Sequence, residues 1–221
     1  MGHRGAAGLA LENSAAGLKK AIELDVDVIE IDVRKTHDNQ LVLCHDDNFG
    51  RVGKPGYKVS EHTLAELQKI KLKNGESPLS LSQALDILRD KPVMIELKDS
   101  GTARLLVDTL NKHPRANASI CSFNFGELAD VRAHNNKLEL YGLEKTRPLE
   151  IVQLTNIFDL DGIGIIYWLL NPFLYHWALR RNLKLYVFTV NKAPLVWFIR
   201  LLYPGVTICT DYPDKYLHHR H

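Results

Sequence analysis

The sequence predicts a closed (β/α)₈ barrel, a TIM barrel, with a small insertion after the second βα-strand region. Short β-branched runs alternate with amphipathic runs almost to the end of the 221 residues, which is typical of a parallel sheet with helices outside it. About seven such repeats follow the opening segment, and a first strand ending at His3 and Arg4 brings the total to eight. An open doubly wound sheet is the main alternative, but no G-x-G-x-x-G motif follows the first strand and no P-loop is present.

The predicted strands are short runs rich in Val, Ile, Leu, Tyr and Phe. They span 27–33, 41–45, 91–98, 118–123, 137–143, 161–167, 183–190 and 205–210. Helical periodicity predicts a first helix that begins at Asn13 or Ser14 and ends near Leu24. Further helices are predicted near 81–89, 102–112, 125–134, 172–181 and 192–202.

Residues 46–80 break this rhythm. They carry four glycines and two prolines around one short helical piece at 63–70, a composition typical of loops. We expect them to be an insertion over one mouth of the barrel, within a single domain that covers 1–221.

Composition excludes several classes of protein. Hydrophobic residues make up 45% and charged residues 24%, which indicates a globular chain. A net charge of +2 argues against a general nucleic-acid binder. Cys44, Cys121 and Cys209 are dispersed in apolar runs, so we interpret them as reduced core thiols.

Neither a leader nor a transmembrane segment is predicted, so we expect a cytoplasmic location. The most apolar stretch, 163–179, is interrupted at Asn171 and Pro172. The histidine-rich tail at 218–221 is expected to be a disordered end rather than a metal site. The sequence does not define an oligomeric state.

Two carboxylates share one face of the strand "VIEIDV". Because side chains alternate along a strand, Glu30 and Asp32 point one way and the apolar residues point the other. Carboxylates buried together repel, and a hard divalent cation would remove that cost. The alternative is an edge strand with a solvated acidic face. In "VMIELK", Glu96 repeats the pattern, and Lys98 beside it is placed either to bind an anion or to form a plain salt bridge.

Two histidines end predicted strands. His3 ends the first strand and His45 the third, and strand ends form the active-site mouth of such barrels. Facing each other across a metal and an anion, they suit acid–base cleavage of a phosphodiester; for either one alone, a structural role is the simpler interpretation. Arg4 offers a planar fork suited to phosphate. Glu12 and Asn13 open the first helix and fit either a helix cap or a site role.

These motifs together resemble the glycerophosphodiester phosphodiesterase family. The likeness is carried by the ordered set "HRG" (3–5), "LENS" (11–14), "EIDV" (30–33), "CHD" (44–46), "IELK" (95–98), "CSF" (121–123), "FTVN" (188–191) and "GVTICTDYPD" (205–214). Each motif is modest alone, but the set is specific and extends from residue 3 to about 216.

The resemblance implies a metal-dependent barrel enzyme that hydrolyses small-molecule glycerophosphodiesters, such as glycerophosphocholine or glycerophosphoethanolamine, to an alcohol and sn-glycerol 3-phosphate. It implies an acid–base pair of His3 and His45. The implied ligands of a divalent ion, Mg²⁺, Ca²⁺ or Mn²⁺, are Glu30, Asp32 and Glu96.

The resemblance also assigns residues to the substrate. Arg4 and Lys98 would hold the phosphate, with Glu12 close by. Phe188, which stands where the family frequently has Trp, would form an aromatic wall against the glycerol. Whether water or the glycerol 2-hydroxyl attacks phosphorus, and which histidine is the acid, both stay open.

Two other functions remain alternatives. The apolar segment 165–177 fits the packing of an outer helix, or else a wall for an acyl chain, which would favour a lysophospholipase D-type hydrolase of lysophospholipids. A non-catalytic phosphodiester-binding barrel is the other alternative, and the intact set of histidines and carboxylates argues against it.

Overall fold

The computed structural model describes residues 1–216, which form a curled sheet surrounded by helices. The sheet has eight strands in the order β2-β1-β3-β4-β5-β6-β7-β8. Their bounds are β1 Ile29–Lys35, β2 Leu41–Leu43, β3 Val93–Leu97, β4 Ala118–Ser122, β5 Glu139–Glu144, β6 Gly162–Ile166, β7 Lys184–Phe188 and β8 Thr207–Ile208. All neighbouring pairs except β1 with β2 are parallel. The predicted histidine-rich tail at 218–221 lies outside the described residues.

The N-terminal segment closes the barrel. Gly2 forms single parallel bridges to Ile29 and to Thr210, so it stands between the first and last parallel strands. His3 N donates to Thr210 O at 2.9 Å, and Glu30 N donates to Gly2 O at 2.9 Å. The predicted first strand is therefore reduced to a few residues. It nevertheless occupies one of the eight strand positions in the barrel, between β1 and β8. The predicted (β/α)₈ barrel is confirmed.

One predicted strand is present but does not run parallel to its neighbour, so its predicted place in the parallel barrel wall was wrong. The run 41–45 forms β2, which pairs antiparallel with β1 and places Val33 opposite Leu43. The physical reason is the short connection of 36–40, closed by a hydrogen bond from Thr36 N to Gln40 O. A parallel crossover needs about a dozen residues, whereas an antiparallel hairpin needs very few. His45 consequently does not end a parallel strand.

Helices cover the outside of the sheet. They are α1 Ala15–Glu23, α2 Leu64–Leu67, α3 Leu81–Leu88, α4 Ala103–Asn111, α5 Phe125–His134, α6 Pro148–Ile157, α7 Pro172–Arg180 and α8 Ala193–Leu202. Ser14 caps α1 by accepting from Gly17 N at 3.2 Å. Helix α6 was not predicted, because apolar residues are spread around it without a clear stripe; Pro148 at its start is the signal that could have found it.

Two aromatic rings fill the barrel interior, and two glycines leave the space that these rings occupy. Tyr141 and Tyr186 pack against Met94 and the thiols of two of the three cysteines. A Cβ atom on Gly162 would lie 2.3 Å from the Tyr141 ring, and one on Gly164 would lie 2.3 Å from the Tyr186 ring. Side chains at these two positions of β6 would therefore displace the rings. All three cysteines are buried and free, as predicted.

Residues 46–80 leave and return at the same point of the sheet. Leu43 N donates to Leu79 O at 2.8 Å, so both ends of the segment lie beside β2. Inside the segment, Phe49, Val59 and Leu67 form a small core of their own with Val42. The segment thus has an apolar core next to the main one and a fixed attachment at β2.

A buried carboxylate caps α4 from the neighbouring helix. Glu127 of α5 is buried, and it accepts from the backbone N–H groups of Gly101, Thr102 and Ala103 at 2.8, 2.5 and 2.5 Å. These N–H groups are shielded from water by the fold, so the Glu127 carboxylate accepts the hydrogen bonds that water would otherwise accept.

We expect Glu127→Ala to lower the free energy of unfolding by about 3 kcal/mol, because it leaves buried donors without an acceptor. Urea denaturation measures this, with the exposed Glu150→Ala as the matched control. A loss no larger than that of the control would show that the cap does not stabilise the fold.

No helix among residues 1–216 is long and apolar enough to cross a membrane.

Candidate active site

Three carboxylates meet on the inner side of two neighbouring strands. The pleat of β1 buries Ile31 towards the helices and turns Glu30 and Asp32 inward. In the β1–β3 register, Asp32 lies opposite Glu96. One ligand oxygen from each of Glu30, Asp32 and Glu96 lies within 4.8 Å of the others. The structure therefore brings together the three predicted ligand residues.

The electrostatics of this cluster fit a divalent cation. Burial and the charge of Asp32 raise the pKa of Glu30 to about 8, and the same two causes raise the pKa of Glu96. Burial also opposes ionisation of Asp32, but Lys98 and Arg4 outweigh it and lower its pKa. Asp32 Oδ1 is buried; it forms an ion pair with Lys98 Nζ but accepts no hydrogen bond from residues 1–216. An all-oxygen donor set with surplus negative charge is what hard cations such as Mg²⁺ or Ca²⁺ prefer.

Two cations border the carboxylates. Arg4 donates to Glu12 Oε1 at 2.9 Å, and its Nε lies 3.3 Å from Asp32 Oδ2. Lys98 Nζ lies 2.6 Å from Glu96 Oε1 and 3.2 Å from Asp32 Oδ1. Arg4 and Lys98 are thus held beside the carboxylate cluster, where both can interact with a bound anion.

The "HRG" motif explains how Arg4 reaches this place. Arg4 has a φ of 51° and Gly5 a φ of 90°, so the chain turns sharply after the closing strand. The turn directs Arg4 N to Glu30 Oε2 at 2.7 Å. A Cβ on Gly5 would lie 2.7 Å from the backbone of Gly17, which is why the position after Arg4 requires glycine.

Each predicted histidine is held by a carboxylate. His3 Nδ1 lies 2.6 Å from Asp211 Oδ1, and His45 Nδ1 lies 2.7 Å from Asp46 Oδ1. These bonds orient both rings and leave each Nε2 free for a reacting group. His45 reaches the site from the antiparallel strand β2, which corrects its predicted place at the end of a parallel strand.

The two rings differ in acidity. Burial lowers the pKa of His3, but the hydrogen bond to Asp211 and the charge of Glu30 outweigh burial, so its pKa is raised. For His45, burial together with the charges of Lys98 and Arg4 outweighs its carboxylate partners, so its pKa is lowered. Glu30 acts on His3 and Asp32 on His45, so both rings lie within electrostatic reach of the carboxylate cluster.

Phe188 packs among other aromatic rings. Its ring packs edge-to-face on Phe123 with centroids 6.1 Å apart. Phe123 lines an open cleft of about 630 Å³ together with His45, Lys98 and Lys145. A larger cavity of about 820 Å³ opens at the opposite end of the barrel, but it contains none of the predicted site residues. His45 and Lys98 are predicted site residues that line the smaller cleft, which makes it the candidate site.

Several supporting residues were missed or left open by the sequence analysis. Asn13 is not the helix cap; its amide donates to Asp32 Oδ2 at 2.8 Å. Asn191 donates to Asp211 Oδ2 at 2.6 Å and so holds the partner of His3. Arg51, in segment 46–80, bonds to both Glu12 and Asp46. Asp211 directly follows the predicted last strand, 205–210, and that position at a strand's end was the available signal.

The barrel and the charged groups at its mouth define a class: a hydrolase that acts on phosphate diesters. The chain matches the model of the Glycerophosphoryl diester phosphodiesterase family over residues 3–215, and it belongs to that family. It is accordingly a phosphoric diester hydrolase, and the alternative of a non-catalytic binding barrel is set aside.

Individual relatives agree with this membership. The chain is 28% identical to a glycerophosphodiester phosphodiesterase of Caldanaerobacter subterraneus subsp. tengcongensis, over 96% of this chain and 93% of the relative. It is 24% identical to a lysophospholipase D of Mus musculus, over 96% of this chain and 83% of the relative. The fold matches an Oleispira antarctica phosphodiesterase solved with its product sn-glycerol 3-phosphate, with a TM-score of 0.91, 23% identity, and coverage of 97% and 93%.

Proposed function

We propose that the chain hydrolyses glycerophosphodiesters such as glycerophosphocholine and glycerophosphoethanolamine to an alcohol and sn-glycerol 3-phosphate. The observation that carries this proposal is the meeting of Glu30, Asp32 and Glu96 within 4.8 Å beside two carboxylate-held histidines. The product bound to the Oleispira antarctica relative supports the same substrate class.

Glu30, Asp32 and Glu96 would hold one divalent ion, Mg²⁺, Ca²⁺ or Mn²⁺. When bound, such an ion offsets the negative charge of the phosphoryl oxygens. Arg4 and Lys98 bind the phosphate from the protein side. Arg4 keeps donors beyond those that face Glu12 and Asp32, because a guanidinium has five N–H groups. Glu12 fixes the guanidinium plane through its bond to Arg4 Nη1.

The unequal pKa values of the histidines support an assignment of roles. His45, whose pKa is lowered, is neutral and takes the proton of the nucleophile, which is water or the glycerol 2-hydroxyl, at Nε2. If the 2-hydroxyl attacks, the first product is a cyclic phosphate, and a water molecule then opens it to give sn-glycerol 3-phosphate. His3, whose pKa is raised, keeps its proton to higher pH than His45 does and gives that proton to the leaving alcohol oxygen. Phe123 lines the cleft and excludes water from one side of the substrate, and Phe188 supports it from behind by edge-to-face packing.

This assignment predicts how Asp211→Asn changes the pH profile of kcat. Removing the carboxylate takes away the main cause that raises the pKa of His3, so the acid loses its proton at lower pH. We expect the alkaline limb to move to lower pH while the acidic limb, set by His45, stays in place. Asp46→Asn is the matched control, and it should move the acidic limb to lower pH instead. The opposite pattern would exchange the two roles.

A lysophospholipase D-type activity is the second candidate. Trp168 and Phe173 are each 62% exposed, and they follow β6 on the side of the mouth. The family relative of that name in Mus musculus supports the same possibility. Comparing kcat/KM for glycerophosphocholine and lysophosphatidylcholine discriminates: the proposal requires the deacylated substrate to be preferred.

Identification of the products tests the proposal itself. Mass spectrometry should find sn-glycerol 3-phosphate and choline after digestion of glycerophosphocholine. Glycerol and phosphocholine would mean cleavage of the other ester bond and would contradict the proposed geometry. The His134→Ala variant, which changes an exposed residue, should give the same products as the wild type and so checks that purification and assay conditions preserve activity.

A further inference from the structure

Near the C-terminal end of the chain, one long segment carries charged residues of positive sign only. Residues 162–210 contain five Lys and Arg and no Asp or Glu, although the whole chain has 26 acidic residues. The segment covers β6, α7, β7, α8 and β8. Its outer surface therefore presents positive charge without any carboxylate of its own.

Helix α8 exposes apolar side chains where an outer barrel helix normally exposes polar ones. Val196 and Ile199 are buried towards the sheet. On the opposite side, Trp197 is 65% exposed and Leu201 is 60% exposed, and Phe198 and Leu202 are each about half exposed. Positions 197 and 201 are one helical turn apart and share a face. Packing within the barrel accounts only for the buried side.

The exposed apolar surface continues at the mouth. Trp168 lies in the turn after β6, and Phe173 lies in the first turn of α7. Beneath this surface, the buried ring of Tyr175 in α7 packs against that of Tyr203, which directly follows α8, with ring centroids 5.3 Å apart. We call the six exposed residues Trp168, Phe173, Trp197, Phe198, Leu201 and Leu202 the apolar face.

Unpaired cations border this face. Arg180, Lys192 and Arg200 are exposed, and none of them forms an ion pair with a carboxylate in residues 1–216. Arg181 stacks on the Trp177 ring, with its guanidinium 5.4 Å from the ring centroid. Aromatic residues beside Lys and Arg are typical of segments that lie at a membrane interface.

We propose that the apolar face docks this barrel on the surface of an anionic lipid bilayer. The charge of the segment complements anionic head groups, whereas a second copy of the same face would bring unpaired cations against each other. With ten residues and a rise of about 1.5 Å per residue, α8 is about 15 Å long and lies along the interface. Trp and Phe side chains insert between the head groups and acyl chains.

Docking through this face sets the orientation of the mouth. Because Trp168 and Phe173 follow β6 at the mouth end of the barrel, the barrel rests on its side, with the rim of its mouth that carries these two residues at the lipid surface. Phosphodiesters released from lipid then meet the cleft near the membrane. This membrane contact does not require the proposed chemistry, so it can be tested separately.

Intrinsic fluorescence reports the contact directly. All three tryptophans, at 168, 177 and 197, lie in this segment. Vesicles of phosphatidylcholine and anionic phosphatidylglycerol should shift the emission of the purified chain to the blue, and brominated acyl chains should quench it. Vesicles of phosphatidylcholine alone, or high salt, should weaken both effects.

Two variants test the two parts of the face. Phe198→Ser with Leu201→Ser keeps every tryptophan and should lower the partition coefficient at least about tenfold. Arg180→Glu with Lys192→Glu should do the same. Arg104→Glu with Lys112→Glu, in α4 and directly after it, is the control that changes net charge equally, and it should retain most of the binding.

Three results would overturn the proposal. One is emission that anionic vesicles neither shift nor quench in the wild-type chain. Another is an equal loss of binding in the α4 control, which would mean that net charge alone attracts the vesicles. The third is a concentration-dependent dimer in sedimentation velocity without lipid that Phe198→Ser with Leu201→Ser abolishes, since the face would then be an interface between copies.

Discussion

His45→Ala lowers kcat by about 10²–10⁴-fold, because the nucleophile loses the neutral imidazole that accepts its proton. The lowered pKa of His45 keeps the ring neutral at neutral pH, and the bond to Asp46 leaves Nε2 free. The side chain is partly exposed, so its removal leaves no buried cavity. We expect the melting temperature to stay near that of the wild type. Steady-state kinetics with glycerophosphocholine measure the loss.

Two further measurements separate catalysis from folding in this variant. The increase in melting temperature on adding Mg²⁺ should persist, because His45 is not among the three carboxylates. His134→Ala, on the outer face of α5, removes an exposed imidazole and should keep full activity. More than about a tenth of wild-type activity in His45→Ala would be incompatible with an acid–base role.

Glu30→Gln separates metal binding from the stability of the metal-free fold. Burial and Asp32 raise the pKa of Glu30 to about 8. A carboxyl group with a raised pKa in the folded state makes that state less stable as pH rises from the ordinary value towards 8. Glutamine has no such charge, so at neutral pH the metal-free variant should melt about 3 °C higher or more. It should lose most of the stabilisation by Mg²⁺, Ca²⁺ or Mn²⁺, because one of three ligands is gone.

The matched control for Glu30→Gln is Glu61→Gln. Glu61 is exposed, and its one ion pair within residues 1–216 is with Lys58 across one turn, so it should change neither quantity. An unchanged response of Glu30→Gln to divalent ions, measured by melting temperature against ion concentration, would remove Glu30 from the ligand set. A lower melting temperature without metal would mean that the charge of Glu30 is compensated in the fold.

The parts of the fold that depend on local pattern could be predicted from the sequence. The period-two alternation in "VIEIDV" separates Ile31 from Glu30 and Asp32, and the structure keeps that separation. Helix bounds such as Phe125–His134 follow from caps and periodicity that act within a few residues. The carboxylate cluster of Glu30, Asp32 and Glu96 could therefore be predicted from the sequences of two strands.

Contacts between distant parts of the chain could not be predicted in this way. The bond from His3 to Asp211 spans 208 positions, and it forms only because the barrel closes through Gly2. The direction of β2 depends on the length of a five-residue connection rather than on the composition of the strand. Arg51 reaches Glu12 only because segment 46–80 returns to β2.

Release of sn-glycerol 3-phosphate from glycerophosphocholine, before and after treatment with EDTA and after adding back one divalent ion, tests the central claim most directly. We expect EDTA to abolish release and Mg²⁺, Ca²⁺ or Mn²⁺ to restore it in the wild-type chain but not in Glu30→Gln. Full release in the presence of EDTA, from protein shown to be free of metal, would contradict it.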